Sequence, residues 1–164
     1  MKIRILLIAL MTLIAGTLAN ARLGESEAEL IQRFGEPAAR SKHIVMTQGK
    51  ILEMGPTLRF YQGDWVISCD LVEGRCMRIS YSKKGDWTEP QIQLVLNSNS
   101  QGATWTETTK PMIVKLQREW KRADASTAIW QMSGGMTLVW DAYIKAKTAL
   151  EERARVEAAK KPKI

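Results

Sequence analysis

Between Leu58 and Ser82 apolar and polar residues alternate in three short runs, broken at Gln62-Gly63-Asp64 and at Glu73-Gly74. Three runs of the same kind lie between Glu119 and Lys147, broken near Ala123-Asp124 and at Ser133-Gly134-Gly135. A period of two with Gly- and Asp-rich breaks predicts strands in hairpins. Each set is preceded by a helix signature. In "ESEAELIQRFGEP", Ser26 with Glu29 forms a capping box, Leu30, Ile31 and Phe34 form the apolar stripe, and Gly35 and Pro37 end it. In "WTEPQIQLVLNSN", Thr88 caps, Gln91 stands at the third helical position, Pro90 fits the first turn, and Ile92, Leu94, Val95 and Leu96 follow. The order αβββ thus occurs twice. It predicts an α+β domain, an antiparallel meander of about six strands with helices on one face. The segment "HIVMTQ" is a candidate short edge strand in an otherwise patternless stretch from His43 to Pro56.

The two ends of the chain read differently. Lys2 and Arg4, the apolar run "ILLIALMTLIA" and the small residues Ala19 and Ala21 compose a secretory signal peptide over 1–21, cleaved between Ala21 and Arg22. The run is shorter than the roughly 20 residues of a transmembrane helix, and no cysteine near the cleavage point offers a lipid anchor. The mature protein is therefore expected to be exported, periplasmic or secreted, without a stable membrane anchor. Residues 22–143 are long enough for one domain with a real core, divided into units of about 22–86 and 87–143. Residues 144–164 are rich in Ala, Glu, Lys and Arg, which predicts a mostly exposed, charged helix or tail.

Charge changes the picture little. The net charge is +7, but the segment from Ile144 onward holds seven Lys and Arg against Glu151, Glu152 and Glu157, and the signal peptide takes Lys2 and Arg4 with it. The folded body is close to neutral. A tail of alternating sign is a solvated helix face, and an exported chain does not meet nucleic acid.

Candidate chemistry is sparse. His43 is the only histidine, and Cys69 and Cys76 are the only cysteines. A Cys-x6-Cys spacing with one distant His matches no common zinc pattern. A Cys–His nucleophile pair would lack the helix N-terminus or cationic pocket that lowers a thiol pKa. No Gly-x-Ser-x-Gly elbow, phosphate-cradling loop or dinucleotide fingerprint is present. No catalytic constellation, cofactor or metal is expected.

Cys69 and Cys76 are structural candidates whose pairing depends on the turn between them. A loop of Leu71 to Gly74 sets them opposite and permits a disulfide. A Glu73-Gly74 turn makes them diagonal neighbours. A Val72-Glu73-Gly74 loop with a bulge puts them on opposite faces, and this register sorts the apolar residues best. An oxidising compartment favours the bridge. Of the six tryptophans, Trp65 and Trp140 are in step with core positions, and Trp87 has the place of a hydrophobic staple. Trp105, in "NSNSQGATWTETT", is the candidate exposed contact.

The run "LGESEAELIQRFGEP", followed by "FYQGDWVISCDLVEGRCMRISY" and a second helix-plus-strands unit, resembles the superfamily of β-lactamase-inhibitor-protein-like domains and SmpA/OmlA (BamE) outer-membrane proteins. The likeness is stronger in the first unit. It implies a non-enzymatic exported module that binds another exported or envelope protein. The chain departs from the SmpA/OmlA pattern in lacking a lipidated cysteine, and no loop matches an enzyme-blocking element of the inhibitors. A ligand- or glycan-binding protein using its tryptophans is the second expectation, and a hydrolase of unrecognised type the third.

Overall fold

The computed structural model describes residues 22–47, 50–109 and 116–160. The expected signal peptide, residues 1–21, lies outside them. Among the described residues three helices and eight strands follow one another as α1 (Glu27–Phe34), β1 (Ala39–Thr47), β2 (Lys50–Gln62), β3 (Trp65–Val72), β4 (Arg75–Lys83), α2 (Glu89–Ser98), β5 (Trp105–Glu107), β6 (Gln117–Arg122), β7 (Thr127–Gln131), β8 (Gly135–Val139) and α3 (Asp141–Lys160). All eight strands join one antiparallel sheet of order β1-β2-β3-β4-β8-β7-β6-β5. Two four-stranded meanders therefore meet through their last strands, with Tyr81 opposite Met136 and Arg78 opposite Val139.

Both helix starts follow the local chemistry expected of them. The Ser26 N–H donates to Glu29 Oε2 at 2.7 Å and the Glu29 N–H to Ser26 Oγ at 3.3 Å. At α2 the Thr88 N–H donates to Gln91 Oε1 at 3.0 Å. Each reciprocal bond satisfies an amide that the first turn leaves without an intrahelical partner.

The count of eight strands exceeds the expected six because each meander gains a strand at its start. β1 is a full nine-residue strand around the "HIVMTQ" segment, paired with a long β2. β5 is three residues of the Ser- and Thr-rich linker, too short to carry a period.

The sheet has two unlike faces. On one, Leu58, Phe60, Ile67, Cys69, Ile79, Tyr81, Trp120, Ala128, Met136 and Leu138 are buried against Leu30 of α1 and Ile92, Val95 and Leu96 of α2. Phe34 packs on Phe60 with ring centroids 5.0 Å apart. On the other face a smaller cluster joins Val72 and Met77 to Tyr143, with Met54, Val139 and Ala146 at its margin. The helices are thus not confined to one side: α3 lies across the second face. It starts at Asp141, before the expected tail boundary, so Tyr143 falls in its first turn. Its outer side is exposed and carries Asp141–Lys145 and Glu152–Arg155 ion pairs, as a charged helix should. Its inner edge, Tyr143, Ala146, Leu150 and Ala154, follows the helical period and is covered or half-covered. Among the described residues no helix is long and apolar enough to cross a membrane.

Candidate interaction surface and the residues beside it

The second sheet face is built from the outward positions of the same strands that fill the core. Because side chains alternate, the neighbours of Ile67, Ile79 and Leu138 must point away from α1 and α2. Cross-strand pairing lines these outward residues into a row, Arg59, Ser68, Ser80, Thr137, Ile129 and Glu119, that spans six strands. Beside it run Tyr61, Val66 and Ser82. None of these nine residues is buried. Ser80 and Thr137 exchange a hydroxyl hydrogen bond of 3.3 Å across the seam between the meanders. The middle of the platform is made of short side chains, Ser68, Ser80, Ser82 and Thr137, and Tyr61 at 58% exposure is its largest apolar residue. Arg59 and Glu119 stand at opposite ends of the row.

Where α3 crosses this face, a buried polar network takes the place of an apolar core. The Asp70 carboxylate accepts from Thr57 Oγ1 at 2.5 Å and from Arg78 Nε at 2.5 Å. His43 Nδ1 lies 3.6 Å from Asp70 Oδ2, and His43 Nε2 lies 2.8 Å from the Tyr143 hydroxyl. The carboxylate on the Nδ1 side favours the neutral tautomer protonated there, which leaves Nε2 to accept from the Tyr143 hydroxyl. Arg78 also stands over the Tyr143 ring, 5.6 Å from its centroid. Burial lowers the His43 pKa below its ordinary value, Asp70 opposes that shift, and Arg78 adds to it. Burial likewise raises Tyr143. A tyrosine, an imidazole and a carboxylate in sequence resemble a proton relay, but His43, Asp70 and Tyr143 are each under 7% exposed. In that setting the network docks α3 onto the sheet.

The two cysteines answer to a register that turn chemistry alone does not specify. Glu73 and Gly74 have φ of 53° and 74°, the two positive angles of a two-residue hairpin turn, and Val72 pairs with Arg75. Leu71 then pairs with Cys76, but Asp70 pairs with Arg78, leaving Met77 as the extra residue of a bulge. Cys69 consequently faces Ile79, and both thiols lie on the α1–α2 face. The bulged register expected from apolar sorting, which separated them, is corrected: the bulge sits after Cys76, and it turns Met77 toward α3. Both cysteines are fully buried and free. A hydrogen bond with Cys69, then burial, push the Cys76 thiol well above its ordinary pKa, so it is an inert thiol.

Trp105 is half-buried rather than freely exposed. It packs against the main core, Arg122 stands 5.1 Å from its ring centroid, and its indole N–H is enclosed with no acceptor among the described residues. Its ring nonetheless borders a cleft of about 350 Å³ with Trp120, Gln93, Asn97, Ser100 and Glu107. Trp65 and Trp87 meet edge to face at 4.9 Å, and Trp140 bridges the two clusters, so these three are packing residues. Among the described residues no group of three or more His, Cys, Asp or Glu is arranged to hold a metal ion.

Sequence reasoning did not find the Asp70 network or the hydroxyl row. The row had a signal in Ser68, Ser80, Ser82 and Thr137, small hydroxylated residues that alternate with the apolar positions of "VIS", "RISYS" and "MTLV". The network had none, because its five members come from five different elements. Comparison of the chain with protein-family models, curated proteins and solved structures returns no match, so the site rests on its own geometry.

Proposed function

We propose that this chain is an exported, non-enzymatic protein-interaction module that meets another exported or envelope protein through the part of its second sheet face that α3 leaves open. The supporting observation is the six-stranded row from Arg59 to Glu119, unburied and backed by the packed α1–α2 core. A rigid platform with Tyr61, Val66 and Ile129 set among hydroxyls, and a charge at each end, suits the mixed character of a non-obligate interface. Its short side chains lose little rotamer freedom on binding. Cross-linking of the mature protein in its native envelope, with the links mapped by mass spectrometry, is expected to place them at the edges of this row. The Ile129→Arg variant sets a long charge in the middle of the platform and should abolish them at unchanged thermal stability. Links that persist in Ile129→Arg and map to the outer side of α3 would overturn the assignment.

A second reading is supported by the cleft beside Trp105. One ring edge with amide, hydroxyl and carboxylate groups from Gln93, Asn97, Ser100 and Glu107 has the chemistry of a small polyol or glycan site. A glycan panel read by tryptophan fluorescence, with Trp105→Phe as control, separates it from the first reading.

A further inference from the structure

The first described residues form a loop tied to the core by several hydrogen bonds. Leu23 is 2% exposed; its N–H donates to Asn99 Oδ1 at 3.1 Å and its carbonyl accepts from Gln101 Nε2 at 2.5 Å. The Gly24 N–H donates to the Cys76 carbonyl at 2.7 Å, and the Cys76 N–H donates to the Glu25 carbonyl at 2.8 Å. These bonds add residues 23–26 to the start of β4 as a short antiparallel segment, closed by the Ser26–Arg75 bridge. The first described residue, Arg22, is also the one expected to follow the cleavage point.

The Arg22 nitrogen lies 2.9 Å from Glu25 Oε2. That carboxylate is nearly enclosed, with 10% of its side chain exposed, and its other oxygen is held by the Arg33 guanidinium, with Arg33 Nε at 3.0 Å. In an uncleaved chain the Arg22 nitrogen is an amide and donates one neutral hydrogen bond. After cleavage at Ala21–Arg22 the same atom is a primary ammonium.

We infer that leader removal completes the fold, because it converts the Arg22 nitrogen into a cation in contact with the buried Glu25 carboxylate. This inference rests on the export reading for its biological setting, and on the Arg22–Glu25 geometry for its chemistry. Hydrolysis of the Ala21–Arg22 peptide bond by a signal peptidase consumes one water, leaves the Ala21 carboxylate on the leader and the amine on the mature chain, and requires no other reactant. The ammonium then shares Glu25 with Arg33 across a carboxylate that has an oxygen for each. The other charged groups facing the site are accounted for. Glu29 bonds Ser26 and lies 3.7 Å from Arg75, Arg75 donates to the Gly24 carbonyl at 3.2 Å, and the Arg22 side chain lines the outer wall of the same cleft. A charge-assisted bond to a carboxylate of this burial is stronger than the neutral bond it replaces. The mature terminus is thus a structural cation that no side chain supplies.

The test uses 22–160 plus the native C-terminus, which contains every described element. It is prepared once with a free Arg22 amine and once with that amine acetylated, each with Glu25 and with Glu25→Gln. The free-amine Glu25 protein is expected to melt about 2–4 °C above its acetylated form, the shift an ion pair of this kind gives in a domain of this size. In Glu25→Gln the difference should vanish. The α-amine should also titrate above the ordinary range of about 7.7–8.0. A base whose pKa is raised on folding stabilises below its unfolded pKa and loses that contribution as pH rises through its folded value, so the melting advantage should fade in alkaline buffer. Equal melting of free and acetylated Glu25 proteins, or an α-amine titrating in the ordinary range, overturns the ion pair. Should Glu25→Gln fail to fold, the titration in the Glu25 protein decides alone. The intact mass of the exported protein is a separate arm: a chain beginning anywhere but Arg22 overturns the maturation step even where the pair forms in the prepared protein.

Discussion

The two faces of the sheet are made by the same strands and stabilised in opposite ways. Ile79 and Ser80 are consecutive in β4; one is completely buried under α1 and α2, and the other is part of the open row. The first face excludes water with a continuous apolar layer from Leu58 to Trp120. The second has a partial cover, α3, and where that cover lands the contact is hydrogen-bonded and charged. Stability belongs mainly to the first face, and the second is left free to be specific.

The largest expected effect follows from substituting the neighbours Ile79 and Ser80 in parallel. Ile79→Ala leaves a cavity in the main core and should cost about 2–5 kcal/mol in chemical denaturation. Ser80→Ala, one residue on, should stay within about 0.5 kcal/mol. Equal losses would show that the open face is covered in solution.

Next in size is Asp70→Ala. It strips Thr57 and Arg78 of their shared acceptor and removes the carboxylate beside His43, so a loss of about 3 kcal/mol is expected. Replacement of Tyr143 by Phe removes only the bond to His43 and should cost about 1 kcal/mol. A double-mutant cycle between the two positions measures how far α3 and the carboxylate act together.

Shortening the chain after Lys147 tests the cover itself. The cut keeps Tyr143 and Ala146 and discards half-buried Leu150 and buried Ala154, so the sheet should remain folded at a cost of about 1–2 kcal/mol. Unchanged stability would mean that α3 is anchored by its first turns alone.

The pH dependence distinguishes the faces without removing any atom. His43 has a folded pKa below its ordinary 6.5, so the unfolded chain binds the proton more readily. Stability from this site is complete above about pH 6.5 and is lost as pH falls from there through the lowered folded value. His43→Gln should flatten that decline. A slope that survives the substitution must come from carboxylates elsewhere.

The smallest effect concerns the thiols. Alkylation after unfolding without reductant should add two groups, one each at Cys69 and Cys76. Neither thiol should react in the folded protein.

Much of the first face was legible in the sequence, because local chemistry dictates it. Ser26 with Glu29, Thr88 with Gln91, and the breaks at Glu73-Gly74 and Ser133-Gly134-Gly135 fall where the structure has caps and turns. The second face was less legible for a definite reason. The bulge at Met77 changes which residues point down, and a bulge has no fixed sequence signature when Gly is not part of it. The inner edge of α3 is Tyr143, two alanines and Leu150, too sparse a stripe to distinguish from a solvated helix. Asp70, His43 and Arg78 read as three unrelated polar residues until β1, β3 and β4 are laid side by side. Trp105 failed as a free contact because Arg122, distant in sequence, stacks on it.

The place of α3 in the chain sets a timetable for folding. α3 follows the second meander in sequence, yet its first turns seal Val72, Met77, His43 and Asp70 of the first. While the polypeptide is emerging, those residues stay wetted however well α1 and its four strands have assembled. The last helix described is the one that covers the second face of the first meander. A chain interrupted before Tyr143 lacks that cover, and limited proteolysis of such a truncation is expected to cut within the first meander sooner than in the full chain.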